Sequence, residues 1–598
     1  MSESCHQPLP ILRVDQPPEI AILRPNTRNC HSEICQIANL SNDLSKLYLS
    51  ESFSDVILKV EGERLPAHKT ILAARSEYFR AMFFGGMAES TDSSKVREVE
   101  LKDTTLEAFK HLLNYIYSSK LSLEHMKEEL VIEVLGLANK YGFVDLVEAI
   151  ADHLKSIIYN SNLCSIFNIS LLYVLTSLTD FCLEYADRNA ELVLGSEGFL
   201  QLSESAVQQL ISRDSFCAKE IDIFQAVSEW INANSSESGQ NLLDEVRLPL
   251  ISLRDLLESI RPTNLLSPDA ILDAIQEQQQ TKPAHLMHRA VIVPNVNIAT
   301  TSRRAQVITG EFKHALLSAD VMQYEGERAH TQHLITQKPA DKEPGIVIEL
   351  GNPYMINKIV MSLYERDTRW YSYFIEVSMD NEDWLRLVDY REFLCRGKQN
   401  LYFERRPARF IRIVGTNCTT HNYFTLTAFE ALYTTEIMTF EPETKILIPD
   451  DNVATIKADA LVVDGVSRSR HALINGETLG YDWDTGYTCH QIASGSIVIQ
   501  LPQPYIISTM RLLLWDCDSR SYSYHIDVST NKKDWKTVVD KTGEACRSWQ
   551  NLEFEPVPVV FVRIVGTHNT VNEVFHCVHF ECPSIPLPEL VDEEQDAA

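Results

Sequence analysis

The second half of this 598-residue chain is written twice. Ile346-Val347-Ile348-Glu349-Leu350 returns as Ile497-Val498-Ile499-Gln500-Leu501, and Tyr371-Ser372-Tyr373 returns as Tyr522-Ser523-Tyr524. Asp383-Trp384 is matched by Asp534-Trp535, and Arg412-Ile413-Val414-Gly415-Thr416 by Arg563-Ile564-Val565-Gly566-Thr567. The spacing between matching residues is constant from Ile346 to about Glu430, and about 40% of the aligned positions are identical. Upstream, at slightly shifted spacing, Val293-Pro294 to Ala299-Thr300 corresponds to Ile448-Pro449 to Ala454-Thr455, and His314-Ala315-Leu316 to His471-Ala472-Leu473. A unit of about 140–150 residues is a whole domain, not a solenoid or propeller repeat. Both copies run through short alternating stretches of Val, Ile, Tyr and Phe, so residues 293–440 and 441–583 are read as two all-β domains.

Ahead of the duplication the period changes. Residues 1–38 carry Pro, Asn and Ser with little periodicity and are read as a disordered arm. Leu40, Leu44 and Leu47 then fall on one helical face. Val56, Leu58 and Val60 alternate with Ile57 and Lys59 as a strand does, Glu61-Gly62-Glu63 turns the chain, and a short strand follows from Leu65 to Ala67. Leu72, Phe79, Met82 and Phe83 predict one helix from Lys69 to the Gly85-Gly86 stop. Residues 106–117 and 131–137 are further amphipathic helices.

Residues 155–281 are helical throughout, with Ile221, Phe224, Val227 and Ile231 forming one apolar stripe and Leu253, Leu256, Leu257 and Ile260 another. Ser267-Pro268-Asp269 opens a helix, with Ser as cap, Pro at the first helical position and Asp favoured by the dipole. Residues 282–292 read as a linker, and 584–598 as a short acidic tail.

Several blocks in order carry a resemblance. Asp55-Val56, Pro66-Ala67-His68-Lys69, Leu72-Ala73-Ala74-Arg75-Ser76, Tyr78-Phe79-Arg80-Ala81-Met82-Phe83 and Leu137-Ala138-Asn139-Lys140-Tyr141 resemble the BTB/POZ domain, an α+β fold, over residues 39–154. The all-α region behind it, residues 155–281, is similar to the BACK domain of Kelch-type adaptors. Each β copy has a strand, an aromatic-rich loop, Trp after an acidic turn, and a late strand of the form Phe-Ile-Arg-Ile-Val. That pattern resembles the discoidin, or coagulation-factor F5/8 type C, domain, an eight-stranded jelly roll. Extracellular members of that family join their ends by a disulfide. Here the first copy has no Cys near its start and Cys582 has no obvious partner.

The chemistry of an enzyme is not visible. There is no GxxxxGK[ST] loop to grip a nucleotide, no GxSxG elbow and no HExxH zinc helix. The pairs His285/His288 and His330/His333 lack the further ligands a metal needs, and the repeat keeps only His490, opposite His333. Asp516 and Asp518 read as solvated loop carboxylates. No cofactor or metal is expected.

Lys+Arg is 54 against Asp+Glu 83, a formal charge of −29, which disfavours both nucleic acid and anionic membranes as partners. No apolar run nears the roughly 18 residues of a membrane span, and the N-terminal residues do not read as a signal peptide. Thirteen cysteines without zinc spacing fit free thiols in a reducing compartment, so a cytoplasmic protein is expected.

What remains is binding. In BTB adaptors of cullin-3, a hydrophobic residue, any residue and Glu stand where Met87-Ala88-Glu89 stands here. The resemblance therefore implies a cullin-binding surface there, with Phe83 and Tyr117 flanking it. BTB domains commonly pair through their first helix, which makes Leu40, Leu44 and Leu47 the expected homodimer contact. The jelly rolls would hold a protein substrate on loops 324–333 and 366–371, with Arg366, Arg369 and Trp370, and on loops 481–490 and 516–522, with Tyr481, Asp516 and Arg520. Trp384 and Trp535 are expected in the two cores. The whole implies a non-catalytic, substrate-recruiting adaptor of a cullin-3 ubiquitin ligase. The alternatives are a non-degradative dimeric BTB scaffold, neuronal or cytoskeletal, and a peripheral lipid or glycan binder.

Overall fold

The computed structural model describes residues 37–85, 97–234, 239–317, 330–336, 345–469, 471–484 and 486–583. The chain divides after Asp152 into two compact units.

The first unit opens with α1 (Ile37–Ser45), β1 (Val56–Val60) and β2 (Glu63–Ala67), followed by α2 (Lys69–Arg75), α3 (Glu77–Phe84) and β3 (Arg97–Glu100). Helices α4 (Leu106–Ser118), α5 (Glu128–Lys140) and α6 (Val144–Ser156) follow. Strand β1 lies between antiparallel β2 and parallel β3, with Val56, Leu58 and Val60 fully buried, as the alternation requires. The single helix expected from Lys69 is two. Ser76 breaks it with extended backbone (φ −142°, ψ 124°), caps α3 by accepting from Phe79 N–H, and donates its own hydroxyl to the Tyr141 carbonyl at 2.7 Å. Helix α1 ends at Ser45, so Leu47 follows in a turn, its N–H bonding the Leu44 carbonyl at 3.0 Å.

The second unit begins with α7 (Leu163–Leu172), α8 (Thr176–Arg188), α9 (Ala190–Leu194), α10 (Glu204–Ile211) and α11 (Glu220–Asn234). After α12 (Gln240–Leu243) and α13 (Leu253–Asp255), α14 (Pro268–Gln280) closes the helical domain. Ser267 caps α14 as its sequence predicts, accepting from Ala270 N–H at 3.1 Å. On α11 the buried face runs through Ile223, Phe224, Val227 and Trp230, with Ile221 and Ile231 only half-buried. Trp230 turns that face inward because its indole N–H reaches the Leu202 carbonyl at 2.9 Å.

Residues 282–292 are docked rather than free. Arg289 is buried in the helical domain, donating to Glu220 at 2.7 Å and to the Arg213 and Glu245 carbonyls at 2.8 and 3.0 Å. Two residues on, Val291 N–H bonds the Pro353 carbonyl and Met355 N–H bonds the Val291 carbonyl, both at 2.9 Å. Asp214 of the helical domain receives both Arg247, at 2.5 Å, and Arg405 of the first β domain, at 3.0 Å. A buried guanidinium satisfied on several sides holds its segment in one place.

The first β copy contains β4 (Gln306–Thr309), β5 (Thr331–Leu334), β6 (Ile346–Leu363), β7 (Tyr371–Ser378), β8 (Leu385–Cys395), β9 (Lys398–Cys418) and β10 (Tyr423–Leu432). Their order is β5-β10-β6-β9-β7-β8, with β4 on β6. A short ribbon, β11 (Thr439–Phe440) with β12 (Leu447–Ile448), leads into the second copy.

The second copy comprises β13 (Leu461–Asp464), β14 (Val466–Ser467), β15 (Thr488–Gln491), β16 (Ile497–Leu514), β17 (Tyr522–Ser529), β18 (Lys536–Cys546), β19 (Trp549–Asn569) and β20 (Val574–Glu581). Its eight strands repeat the same path, β14-β15-β20-β16-β19-β17-β18, with β13 on β16. The long strands β6, β9, β16 and β19 shift register midway, at Glu349/Tyr354 and at Gln500/Tyr505, which lets each bend around its jelly-roll core.

The repeat survives atom by atom. His333 accepts from Gly415 N–H at 2.8 Å through Nε2 and His490 accepts from Gly566 N–H at 2.9 Å, while each Nδ1 meets the next residue's carbonyl. Both rings are therefore neutral structural pins, and burial pushes both pKa values down. Only glycine fits at 415 and 566, because a Cβ would stand about 2.2–2.3 Å from Phe424 and Phe575.

Asn297 Oδ1 accepts from Ala299 and Ala431 N–H, and Asn452 Oδ1 from Ala454 and Cys582 N–H. This amide staple ties the domain ends where extracellular relatives use sulfur, and Cys582 is a buried free thiol. Trp384 is half-buried and outside the main cores, whereas half-buried Trp535 packs against the small buried cluster of Val498, Val560 and Phe561. Each is covered by an arginine of the late strand, Arg412 at 4.3 Å and Arg563 at 4.2 Å, which is itself paired to Glu376 or Asp527.

Candidate partner-binding surfaces

In the first unit α3 delivers the chain to the segment of interest. It ends at Gly85, whose N–H bonds the Ala81 carbonyl at 2.9 Å and whose Cβ, if present, would meet that same oxygen at 2.4 Å. Met87, Ala88 and Glu89 lie outside the described residues. Phe83 and Tyr117, expected beside them, face inward instead. Phe83 is 4% exposed and stacks on Phe79. Tyr117 is 2% exposed, its hydroxyl accepting from His68 N–H at 3.0 Å and pairing with His68 Nδ1 at 2.7 Å. Burial pushes the Tyr117 phenol up to about 12. Among the described residues neither side chain presents a surface to a partner.

The surface residue missed from sequence is Phe84, 62% exposed at the last turn of α3. The signal was available: Phe79 and Phe83 share one helical face, so Phe84 is turned about 100° away from it.

Helix α1 has no buried residue. Ile37 is 72% and Leu40 62% exposed, while Leu44 and Leu47 are half-buried. The helix is held to its domain by Ser41, whose hydroxyl donates to the Ser118 carbonyl at 2.7 Å. Among the described residues the helix is thus anchored, while Ile37 and Leu40 are left uncovered.

In the β domains the loop before β7 carries Arg366, which is exposed, and Arg369, which is folded back onto Asp367 at 2.7 Å. Arg520 pairs with Asp518 in the same way at 2.6 Å. In both, hydrogen bonding from the arginine holds the carboxyl below the usual carboxylate range. Tyr481 donates its hydroxyl to Asp516. Trp370 departs from its expectation as a free recognition residue. It packs on the second copy, donating Nε1–H to Gln500 at 2.8 Å, meeting Phe561 edge-on and carrying Lys532 over its ring.

Among the described residues no three His, Cys, Asp or Glu side chains are grouped to hold a metal ion, and no helix is long and apolar enough to cross a membrane.

Family models agree with this architecture. BTB/POZ matches residues 44–158, BTB And C-terminal Kelch matches 163–261, and the F5/8 type C domain matches twice, at 325–429 and 460–580. The chain is thus of the class that joins a BTB domain and a BACK domain to paired F5/8 type C domains. It is 50% identical to human BTB/POZ domain-containing protein 9 over 94% of this chain and 90% of that protein. With the Drosophila melanogaster protein of the same name it shares 48% identity over 91% of this chain and 74% of the relative. Human BTB/POZ domain-containing protein 3 is 28% identical over 41% of the chain and 46% of that protein. The chain belongs to the BTB/POZ domain-containing protein 9 family.

Proposed function

We propose that the chain is a substrate-recruiting adaptor of a cullin-3 ubiquitin ligase, non-catalytic itself and working in the cytoplasm. The observation that carries this reading is the combination, on one polypeptide, of a BTB domain and a BACK domain with two β domains of a binding type. Met87 supplies an apolar anchor and Glu89 a charge that fixes orientation, and exposed Phe84 precedes Met87 in the chain by three residues. Arg366, Arg369, Tyr481, Asp516 and Arg520 are the substrate-loop candidates. The contribution to ubiquitin transfer is effective concentration, bringing a substrate's lysines close to a charged E2. Pairing of two chains through α1 adds avidity, and the uncovered Ile37 and Leu40 support that contact.

The test is a binding isotherm between the full chain and the cullin-3 N-terminal domain, with Glu89→Lys in parallel. Affinity tighter than about 1 μM that collapses in the variant is expected. No binding, or equal binding by the variant, leaves a dimeric scaffold, the reading that α1 alone favours.

A further inference from the structure

The two β domains repeat one fold but not one surface. Loops of the first copy grip the second. Besides Trp370, Leu394 N–H bonds the Thr530 carbonyl at 3.1 Å, and Arg396 N–H and the Gln399 side chain bond the Pro502 carbonyl at 3.0 and 2.9 Å. Asn400 and Gln503 exchange two hydrogen bonds, at 2.7 and 2.8 Å. Among the described residues, Trp370 and the 394–400 segment of the first copy are therefore engaged inside the chain. In the second copy Ser521 stands at the Trp370 position and Ala545 at the Leu394 position, and neither can grip anything in this way.

The second copy carries something else there. Residues 475–484, loop 515–521 and hairpin 569–573 converge. Thr570 and Ser521 exchange hydrogen bonds, Tyr481 bonds Asp516, and the Trp483 ring lies 4.1 Å from that of Trp515. Trp515 replaces Tyr364 of the first copy. At the rim Leu479 is 90%, Val571 60% and Trp483 45% exposed. The same three segments carry the carboxylates of Glu477, Asp482, Asp484, Asp516, Asp518 and Glu573. The arginines among them are already engaged: Arg468 with Asp484, Arg520 with Asp518, and Arg547 with the Asp516 carbonyl. Beneath Trp483, among the described residues, one buried donor has no hydrogen-bond partner, Trp515 Nε1–H in a residue 1% exposed, while Arg520 lies against the Trp483 ring and is engaged by Asp518 and Tyr522. An unpaired buried donor next to an exposed aromatic marks a place where an acceptor from outside can dock.

We infer that the two copies are unequal, the first serving as a mount and the second as the docking end for a basic, apolar segment of a partner protein. The segment's Lys or Arg side chains meet the carboxylate rim and its apolar side chains cover Leu479, Val571 and Trp483. A backbone carbonyl accepts from Trp515 Nε1–H once Trp483 moves aside. Charge complementarity selects this occupant over an acidic peptide or an anionic lipid surface. The inference rests on the adaptor reading by identifying the substrate class, yet it is tested without cullin.

The experiment uses the full chain and a fluorescein-labelled ten-residue peptide of alternating Lys and Leu. An alternating Glu/Leu peptide and phosphatidylserine vesicles are run alongside, with the site mapped by hydrogen exchange. The Lys/Leu peptide is expected to bind and to protect residues 476–486 and 515–521. Trp483→Ala and the surface variant Asp484→Lys each weaken it by about tenfold, whereas Glu382→Lys, the same kind of charge change on an exposed residue of the first copy, leaves it unchanged. Undiminished binding by both second-copy variants means only diffuse attraction to an acidic protein and overturns the inference. Equal binding of the Glu/Leu peptide, or vesicle binding that protects the same loops, overturns it too. Loss of this site with an intact cullin isotherm leaves the adaptor reading standing.

Discussion

Trp370 hands its indole N–H to the Gln500 side chain across the seam between the two β domains, at 2.8 Å, with Gln500 1% exposed. Trp370→Ala removes that donor and vacates the space between Phe561 and Lys532. The seam loses about 2–3 kcal/mol, less than a fully buried aromatic because the ring is only half-covered. Scanning calorimetry is expected to resolve the β domains into two transitions in the variant where the native chain shows them coupled. One unchanged transition would refute a structural role for the seam.

Arg289 and Glu220 have side chains 2% and 4% exposed. Arg289→Ala leaves a buried carboxylate without its counter-charge and destabilises the second unit by about 3–5 kcal/mol, read by urea unfolding. Arg289→Lys recovers little, since one ammonium cannot serve Glu220 and the carbonyls together.

Acid acts through the histidines first. Burial lowers the pKa of His333 and His490, and burial together with the nearby Arg520 charge holds His576 at about 4. A histidine kept neutral by the fold binds fewer protons folded than unfolded. Its stabilising share is therefore complete above an unfolded value of about 6.5 and is lost as pH falls from there towards the folded value. The unfolding midpoint of the β domains is expected to be flat from pH 8 to 7 and to fall steadily below pH 6. A midpoint that rises with acid would contradict the neutral-pin assignment.

Leu40→Asp places a charge on the uncovered side of α1, whose Leu40 is 62% exposed. Sedimentation is expected to show a dimer for the native chain and a monomer for the variant, with unfolding of the monomer shifted by no more than about 0.5 kcal/mol. A native monomer would remove the pairing proposal.

Phe83 and Phe84 are neighbours with opposite fates. Phe83→Ala is expected to destabilise the BTB domain by about 3–5 kcal/mol. Phe84→Ala, at 62% exposure, leaves stability nearly unchanged and weakens cullin binding severalfold. Equal loss of stability in both would place Phe84 in the core.

Period and order made the four modules legible. Val56, Leu58 and Val60 alternate and are buried, and Ser267 caps where its Pro and Asp predict. What stayed hidden depended on distant partners. Nothing local distinguishes the Ser76 that splits a helix from any other serine, because its hydroxyl's acceptor is Tyr141, far along the chain. Trp370 has the composition of a recognition residue, and only its contact with Gln500 shows that the second copy takes it. Phe83 and Tyr117 were placed by analogy with a surface, whereas helical phase turns Phe83 inward and the His68 pairing holds Tyr117 there. The tryptophans at 384 and 535 look alike by hydrophobicity, yet only Trp535 packs on a buried cluster, and an arginine two strands away covers each.

A spacer between the helical and β domains would let cargo wander through a sphere whose radius grew with chain length. The docked residues from Arg289 to Val291 replace that sphere with a single bearing. Cargo held on the β domains would inherit a set attitude towards the helical domain, as a workpiece does in a jig. Altering which of its faces is presented would then require recutting the seam at Val291 and Pro353; lengthening a tether would achieve nothing.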